Sequence, residues 1–207
     1  MIILGITGSV GMGKTEAGKY FIKNNIDVFD CDKEIATFYN KKDTIFEIKK
    51  NFPSTIHNNK VDKNALANIV FNDKSKLKLL EELLHKKLQK EQSFWLRKKI
   101  REKKNLLVFD VPLLFEKDNI KKYDFVMVLS CNKALQRIRV LKRQGWNEER
   151  YEKTLKEQIP DYTKQTLADI IIKSDRGKRY LNQEIIKIIK EVKNKKNRKI
   201  HEILKEF

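Results

Sequence analysis

Residues 1–21, "MIILGITGSVGMGKTEAGKYF", decide the fold. An apolar run ends in a stretch where four of the chain's seven glycines lie between Gly5 and Gly13, and Lys14-Thr15 follows at once. A short, continuous apolar run that stops at a turn suits a strand buried on both faces in a parallel sheet. From Thr15 the positions Ala17, Tyr20 and Phe21 recur at helical spacing, and the pattern stops at Asn24-Asn25. Strand, glycine loop and helix in this order open an α/β domain.

Gly8-Ser9-Val10-Gly11-Met12-Gly13-Lys14-Thr15 fits G-x-x-x-x-G-K-[ST] at every fixed position. Glycines allow the dihedrals that turn successive backbone N–H groups onto phosphate oxygens. In such a loop the lysine reaches the β- and γ-phosphates, the threonine hydroxyl ligates Mg²⁺, and the helix behind points its positive end at the same anion. The nucleotide-binding candidates are therefore Gly8, Gly11, Met12, Gly13, Lys14, Thr15 and Glu16, with ATP and Mg²⁺ as the expected ligands. The competing reading is a plain glycine turn between strand and helix. A chance match somewhere in a chain of this length is roughly one in a hundred, and the flanking strand and helix favour the phosphate loop.

The remaining strands are expected at Ile26–Phe29, Leu106–Phe109, Phe125–Leu129 and Asp169–Ile172. Helices are expected at Lys133–Arg143, at the segment capped by Asn147, and at Leu181–Val192. Residues 33–104 read as almost wholly helical and carry 19 basic and 9 acidic residues, a net of +10. That block is too long for a plain crossover between two strands. The expected organisation is a three-layer α/β core with a mostly parallel sheet, formed by 1–32 and 105–207 with a helical lid within about 137–165, and a helical insertion at 33–104.

The formal charge of the 207-residue chain is +18. A basic excess fits nucleic acid, anionic lipid or polyanionic small substrates, and equally fits compositional drift, because the lysines are scattered through every segment. No basic strand with interleaved aromatics or RNA-binding signature accompanies it, so no nucleic-acid partner is expected. Cys31 and Cys131 lie far apart and form no CxxC pair, which speaks for a reduced chain without a zinc site. The first strand leaves no room for a signal peptide, and no apolar run approaches membrane-spanning length. A cytoplasmic protein without membrane contacts, monomeric or weakly self-associating, is expected.

In open α/β sheets ligands lie beyond the carboxyl ends of the strands. The second strand ends in Asp30-Cys31-Asp32, where a carboxylate can orient an attacking hydroxyl and accept its proton, while one of the pair caps the next helix. Asp110 ends the apolar run "LLVFD", the Walker-B position for a Mg²⁺-associated carboxylate, unless it is simply a solvated strand end. Arg137, Arg139, Lys142 and Arg143 share one helix, and Arg139 and Arg143, four apart, share a face. Forked guanidinium groups there suit a phosphate-covering lid; a solvated basic helix is the bland alternative. His85, in "ELLHKKL", is by spacing alone more readily a structural histidine than a ligand contact.

The phosphate loop, the "DCD" strand end, "VDKNALANIVFNDKSKLKLLEELLHKKL", "VFDVPLLFE" and "LKEQIPDYTKQTLADIIIKS" occur in that order. Together they resemble the dephospho-CoA kinase family from Met1 to about Ser174. The resemblance implies transfer of the γ-phosphoryl group of ATP to the ribose 3′-hydroxyl of dephospho-CoA, the last step of coenzyme A synthesis, with dephospho-CoA bound by the helical insertion. By matching motifs it implies Asp32 as the base. It also implies Lys14, Arg139 and Arg143 as catalytic partners, and His85, Pro112, Leu113, Leu114 and Lys164 as acceptor contacts. Two departures stand out: Lys86 replaces the proline usual after the histidine, so the helix is expected to run on, and "KSDRG" replaces an asparagine-containing turn that frames adenine. The basic tail from Lys178 has no counterpart in the pattern. Another P-loop small-molecule or nucleoside monophosphate kinase is the alternative, and a nucleic-acid-directed NTPase a remoter one.

Overall fold

The N-terminal apolar run becomes β1 (Ile2–Thr7), every residue of it buried. Six more strands occur among the described residues: β2 (Asp27–Asp30), β3 (Ile56–His57), β4 (Lys60–Val61), β5 (Leu106–Asp110), β6 (Phe125–Ser130) and β7 (Ile170–Lys173). A computed structural model describes residues 1–116, 120–195 and 200–207. These separate into two compact units, Met1–Asp30 with Lys98–Phe207, and Cys31–Arg97.

In the first unit five strands form a sheet in the order β2-β5-β1-β6-β7, and every neighbouring pair is parallel. This is the mostly parallel sheet the apolar runs predict. Two boundaries move. The second strand starts at Asp27, because the Ile26 N–H is taken by the Phe21 carbonyl at 3.0 Å where the preceding helix closes. The last strand starts at Ile170 because the Asp169 carboxylate accepts the Val126 N–H at 2.7 Å.

On one face of the sheet Ile2, Leu4, Ile6, Val108, Met127 and Leu129 pack against Ala17 and Phe21 of α1 (Lys14–Lys23) and against the apolar face of α9 (Lys178–Lys193). On the other, Ile3, Leu107, Phe109 and Val128 are buried as well. The chain's last helix, α10 (Ile200–Glu206), brings Phe207 there, with its ring centroid 4.9 Å from that of Phe109. Burial on both faces explains why these strands read as unbroken apolar runs rather than alternating ones. Of the basic tail, residues 196–199 lie outside the described residues.

The second unit is built from α2 (Cys31–Phe38), α3 (Lys42–Asn51), α4 (Lys63–Asn72) and most of α5 (Lys74–Arg101), around Phe38, Ile48, Phe52, Leu66, Val70, Leu80 and Leu84. The expectation of an almost wholly helical block needs one correction, the antiparallel β3–β4 hairpin. Asn58 and Asn59 turn it with positive φ at both positions (49° and 57°), the geometry of a type I′ turn, which asparagine tolerates better than most residues. The helix α5 runs on through His85 and Lys86, as the missing proline allows. Among the described residues no helix is long and apolar enough to cross a membrane.

Candidate active site

The loop between β1 and α1 is shaped by its glycines. A Cβ at Gly8 would stand 2.5 Å from the Leu129 carbonyl oxygen of β6, so the backbone runs too close to its neighbour for any side chain. Gly13, at φ 97°, turns the chain into α1 and serves as its N-cap without a side-chain hydrogen bond. By contrast, Asp62 caps α4, and Asn132 and Asn147 cap α6 (Lys133–Leu141) and α7 (Glu148–Lys156) with their side chains. No side chain therefore competes with an anion at the start of α1. Lys14 folds back over the loop and donates to the Gly8 carbonyl at 2.9 Å. Thr15 is exposed in the first helical turn. The carboxylate of Glu16 faces Lys19 and Lys178 at 3.5 and 3.6 Å, so its side chain is turned to surface cations.

Side chains from distant segments hold the loop. Gln158 accepts the Val10 N–H at 3.1 Å, while Gln136 of α6 donates to the Val10 carbonyl at 2.8 Å. The hydroxyl of Tyr151 in α7 donates to Gln136 at 3.3 Å. Arg139 spans from the loop to the end of β7: Nη1 and Nη2 donate to the Ser174 Oγ and carbonyl, each at 2.9 Å, and Nη1 reaches the Gly11 carbonyl at 3.5 Å. Ser174 in turn donates to the Met12 carbonyl at 2.8 Å. Met12 is buried, 2 % exposed, and its Sδ accepts the Cys131 N–H at 3.2 Å. Burial pushes the Cys131 thiol above its ordinary pKa, which keeps it protonated and inert.

The other predicted residues fall in three groups. Arg143 lies beyond the end of α6 and is exposed, so of the two arginines expected to share a face it is Arg139 that reaches the loop, beside Gln136 of the same helix. Arg137 pairs with Glu148 through two hydrogen bonds of 2.7 and 2.6 Å and ties α6 to α7. Asp110 is 7 % exposed at the carboxyl end of β5, in register with Ile6 of β1 and Asp30 of β2. Beyond it the chain turns at Pro112, whose carbonyl accepts the Thr7 hydroxyl at 3.1 Å, then passes through half-exposed Leu113 to buried Leu114. Asp32 stands in the first turn of α2, two residues past β2, and His85 is exposed on α5; both belong to the second unit.

Lys164 departs from expectation. It lies in α8 (Asp161–Leu167), is 0 % exposed, and its Nζ stands 2.7 Å from Glu116 Oε1. In this structure its charge faces that carboxylate inside the protein. Gln136, Gln158, Ser174 and Glu116 were missed. Of these only Ser174 carried a signal, since it ends the last strand, at the edge where ligands of such sheets lie.

The oxygen donors available for a metal suit Mg²⁺, which prefers hard oxygen ligands and takes only one or two from protein beside phosphate oxygens. Thr15 offers a hydroxyl and Asp110 a carboxylate. Among the described residues no group of three or more His, Cys, Asp or Glu side chains gathers to hold a metal alone.

The sequence profile of the dephospho-CoA kinase family matches residues 2–179. A dephospho-CoA kinase from Bartonella quintana is 34 % identical over 189 residues, 91 % of this chain and 97 % of its own. Among solved structures, the dephospho-CoA kinase from Campylobacter jejuni superposes with a TM-score of 0.67 at 25 % identity, covering 92 % of this chain and 96 % of that one. A crystal structure from Thermus thermophilus superposes with a TM-score of 0.81 at 26 % identity, with the same coverage of 92 % and 96 %.

Proposed function

The chain belongs to the dephospho-CoA kinase family, and from that premise we propose how its residues divide the ATP-dependent phosphorylation of the ribose 3′-hydroxyl of dephospho-CoA. The observation that carries the reading is a complete phosphate loop, clamped by lid side chains, within a chain matched to the family over residues 2–179.

Phosphoryl transfer asks little covalent chemistry of a protein; it asks for alignment and for positive charge around the moving group. Backbone N–H groups of the phosphate loop other than those of Val10, Met12 and Glu16, which Gln158, Ser9 and Gly13 take, bind the ATP phosphates. Lys14 moves from the Gly8 carbonyl onto the β- and γ-phosphates, exchanging one acceptor for a more strongly charged one. Arg139 holds the loop in shape and adds cationic charge beside it, and Arg143 closes on the phosphates from the end of α6. Thr15, and Asp110 through water, hold Mg²⁺, which when bound screens the charge on the transferring phosphoryl group. Asp32 orients the 3′-hydroxyl and takes its proton as the bond to phosphorus forms. His85 and the Pro112–Leu114 turn contact the acceptor. Closure of the segment around α6 and α7 excludes water, which otherwise competes with the hydroxyl for the phosphoryl group.

The test is a coupled assay of ADP formation with dephospho-CoA, nucleoside monophosphates and water as competing acceptors. Release of ADP should depend on dephospho-CoA and yield coenzyme A. Equal or faster transfer to a nucleoside monophosphate would overturn the acceptor assignment.

A further inference from the structure

Lys164 and Glu116 form an ion pair enclosed by protein, with side-chain exposures of 0 % and 12 %. Such pairs add little net stability, because desolvating both charges offsets their attraction. This one is also incompletely satisfied: neither Glu116 Oε2 nor Lys164 Nζ has a hydrogen-bond partner among the described residues. A position inside a longer run of contacts gives the pair a different use.

Glu116 closes the turn that begins at Pro112. Its Oε1, besides meeting Lys164, accepts the Ile159 N–H at 3.0 Å. The preceding residue, Gln158, accepts the Val10 N–H of the phosphate loop. The Val10 carbonyl receives Gln136 of α6, which receives Tyr151 of α7. One continuous run thus joins the turn after β5, the segment leaving α7, the apex of the loop and both lid helices. Every member lies in the first unit.

We propose that Glu116 and Lys164 are positioning residues that couple the phosphate loop to the Pro112–Leu114 turn, so that each substrate raises the affinity for the other. The inference rests on the dephospho-CoA reading and on that turn contacting the acceptor. Phosphates on the loop fix the Val10 peptide. The Val10 N–H fixes the side chain of Gln158, the N–H of the next residue, Ile159, is held by Glu116, and Glu116 carries the order to the turn. An ordering cost met by the first ligand is then not met again by the second. By linkage the effect is reciprocal.

Titration calorimetry on the full chain, with dephospho-CoA injected in the absence and presence of saturating ADP, tests this. For the wild type the dissociation constant should fall on the order of tenfold when ADP is present, within the usual coupling range. The double variant Glu116→Leu/Lys164→Met replaces both charges with apolar groups of similar size and keeps the core filled. It should bind ADP alone and dephospho-CoA alone within a few-fold of wild type, with the ADP-dependent factor reduced to about one. Should the double variant fail to fold, Gln158→Leu, which cuts the run at the loop and leaves the ion pair intact, should abolish the factor in the same way. A wild type that binds dephospho-CoA equally with and without ADP overturns the coupling, as does a folded variant that keeps the wild-type factor. A wild type that does not bind dephospho-CoA at all overturns the acceptor reading beneath it.

Discussion

Replacing Arg139 with lysine keeps the positive charge and removes the fork. In the native protein the two Nη atoms bond both polar groups of Ser174 at 2.9 Å, and Nη1 also reaches Gly11. An ammonium on a flexible stem can satisfy one of the two Ser174 acceptors, not both in that plane. The loss is therefore about one charge-assisted hydrogen bond, worth roughly 1.5–3 kcal/mol. This energy holds the loop against the end of β7, and the held shape is taken as the one that binds ATP. Apparent affinity falls by the fraction of molecules that lose that shape, so kcat/KM for ATP should drop roughly 10- to 150-fold. The same bridge is weakened from its other end by Ser174→Ala, which also removes the bond to the Met12 carbonyl, and the two losses should multiply only in part in the double variant, because they share the bond from Arg139 to the Ser174 Oγ. Steady-state kinetics on the three variants, with circular dichroism as a folding control, decide the matter. An Arg139→Lys enzyme within threefold of wild type, or losses that multiply in full, would refute the bridging argument and leave Arg139 as a simple source of charge.

Asp32→Asn should leave the KM for ATP nearly unchanged and lower kcat by about 10²- to 10⁴-fold, the usual contribution of a positioned base; near-normal turnover would remove Asp32 from the mechanism. Asp27 shows a dependence on pH. Burial alone would raise its carboxyl pKa, but a hydrogen bond from Lys99 at 2.7 Å and the charge of Lys104, 2.9 Å from the other oxygen, hold it below the ordinary carboxylate value. A depressed folded pKa gives stability that is present above the unfolded value and lost as pH falls through the folded one. Asp27→Asn should therefore cost about 1–2 kcal/mol at pH 7, with the gap from wild type closing below about pH 4 in denaturant titrations. Phe207→Ala empties a site 6 % exposed, lined by Phe109 and Tyr123 at 4.9 and 6.1 Å between ring centroids. It should cost about 3–5 kcal/mol, and a melting temperature unchanged within a degree would contradict the docking of α10.

The loop and the sheet were legible because their causes are local. Phosphate chemistry dictates glycines and a lysine at fixed spacing, and burial on both faces dictates apolar runs. The hairpin at Asn58-Asn59 was legible in principle from an asparagine pair between Ile56 and Val61, but its two-residue strands give too short an alternation to stand out from the helices on either side. The end of α6 was read two residues late, because Lys142 and Arg143 are good helix formers whose backbones are instead drawn into the turn before Gly145, at φ 75°. Lys164 was beyond reach. Its neighbours in sequence, Thr163 and Gln165, are those of a surface lysine, and only Glu116, 48 positions earlier, makes it an interior one.

The two loop positions that the motif leaves open, Val10 and Met12, become the informative ones. At fixed positions the residue answers to the nucleotide; at open ones it answers to the rest of the protein. The peptide of Val10 is held on its N–H side by Gln158 and on its carbonyl side by Gln136, so the loop's apex follows whatever those residues do. The side chain of Met12 is fixed against Cys131 and its carbonyl against Ser174. A loop gripped at the backbone on these two residues cannot rearrange around phosphate without moving α6, the end of β7 and the segment leading to Glu116. On the proposed division of roles, discrimination between acceptors is expected from the side chains that the loop moves and from the helical unit that carries Asp32 and His85, rather than from the glycines.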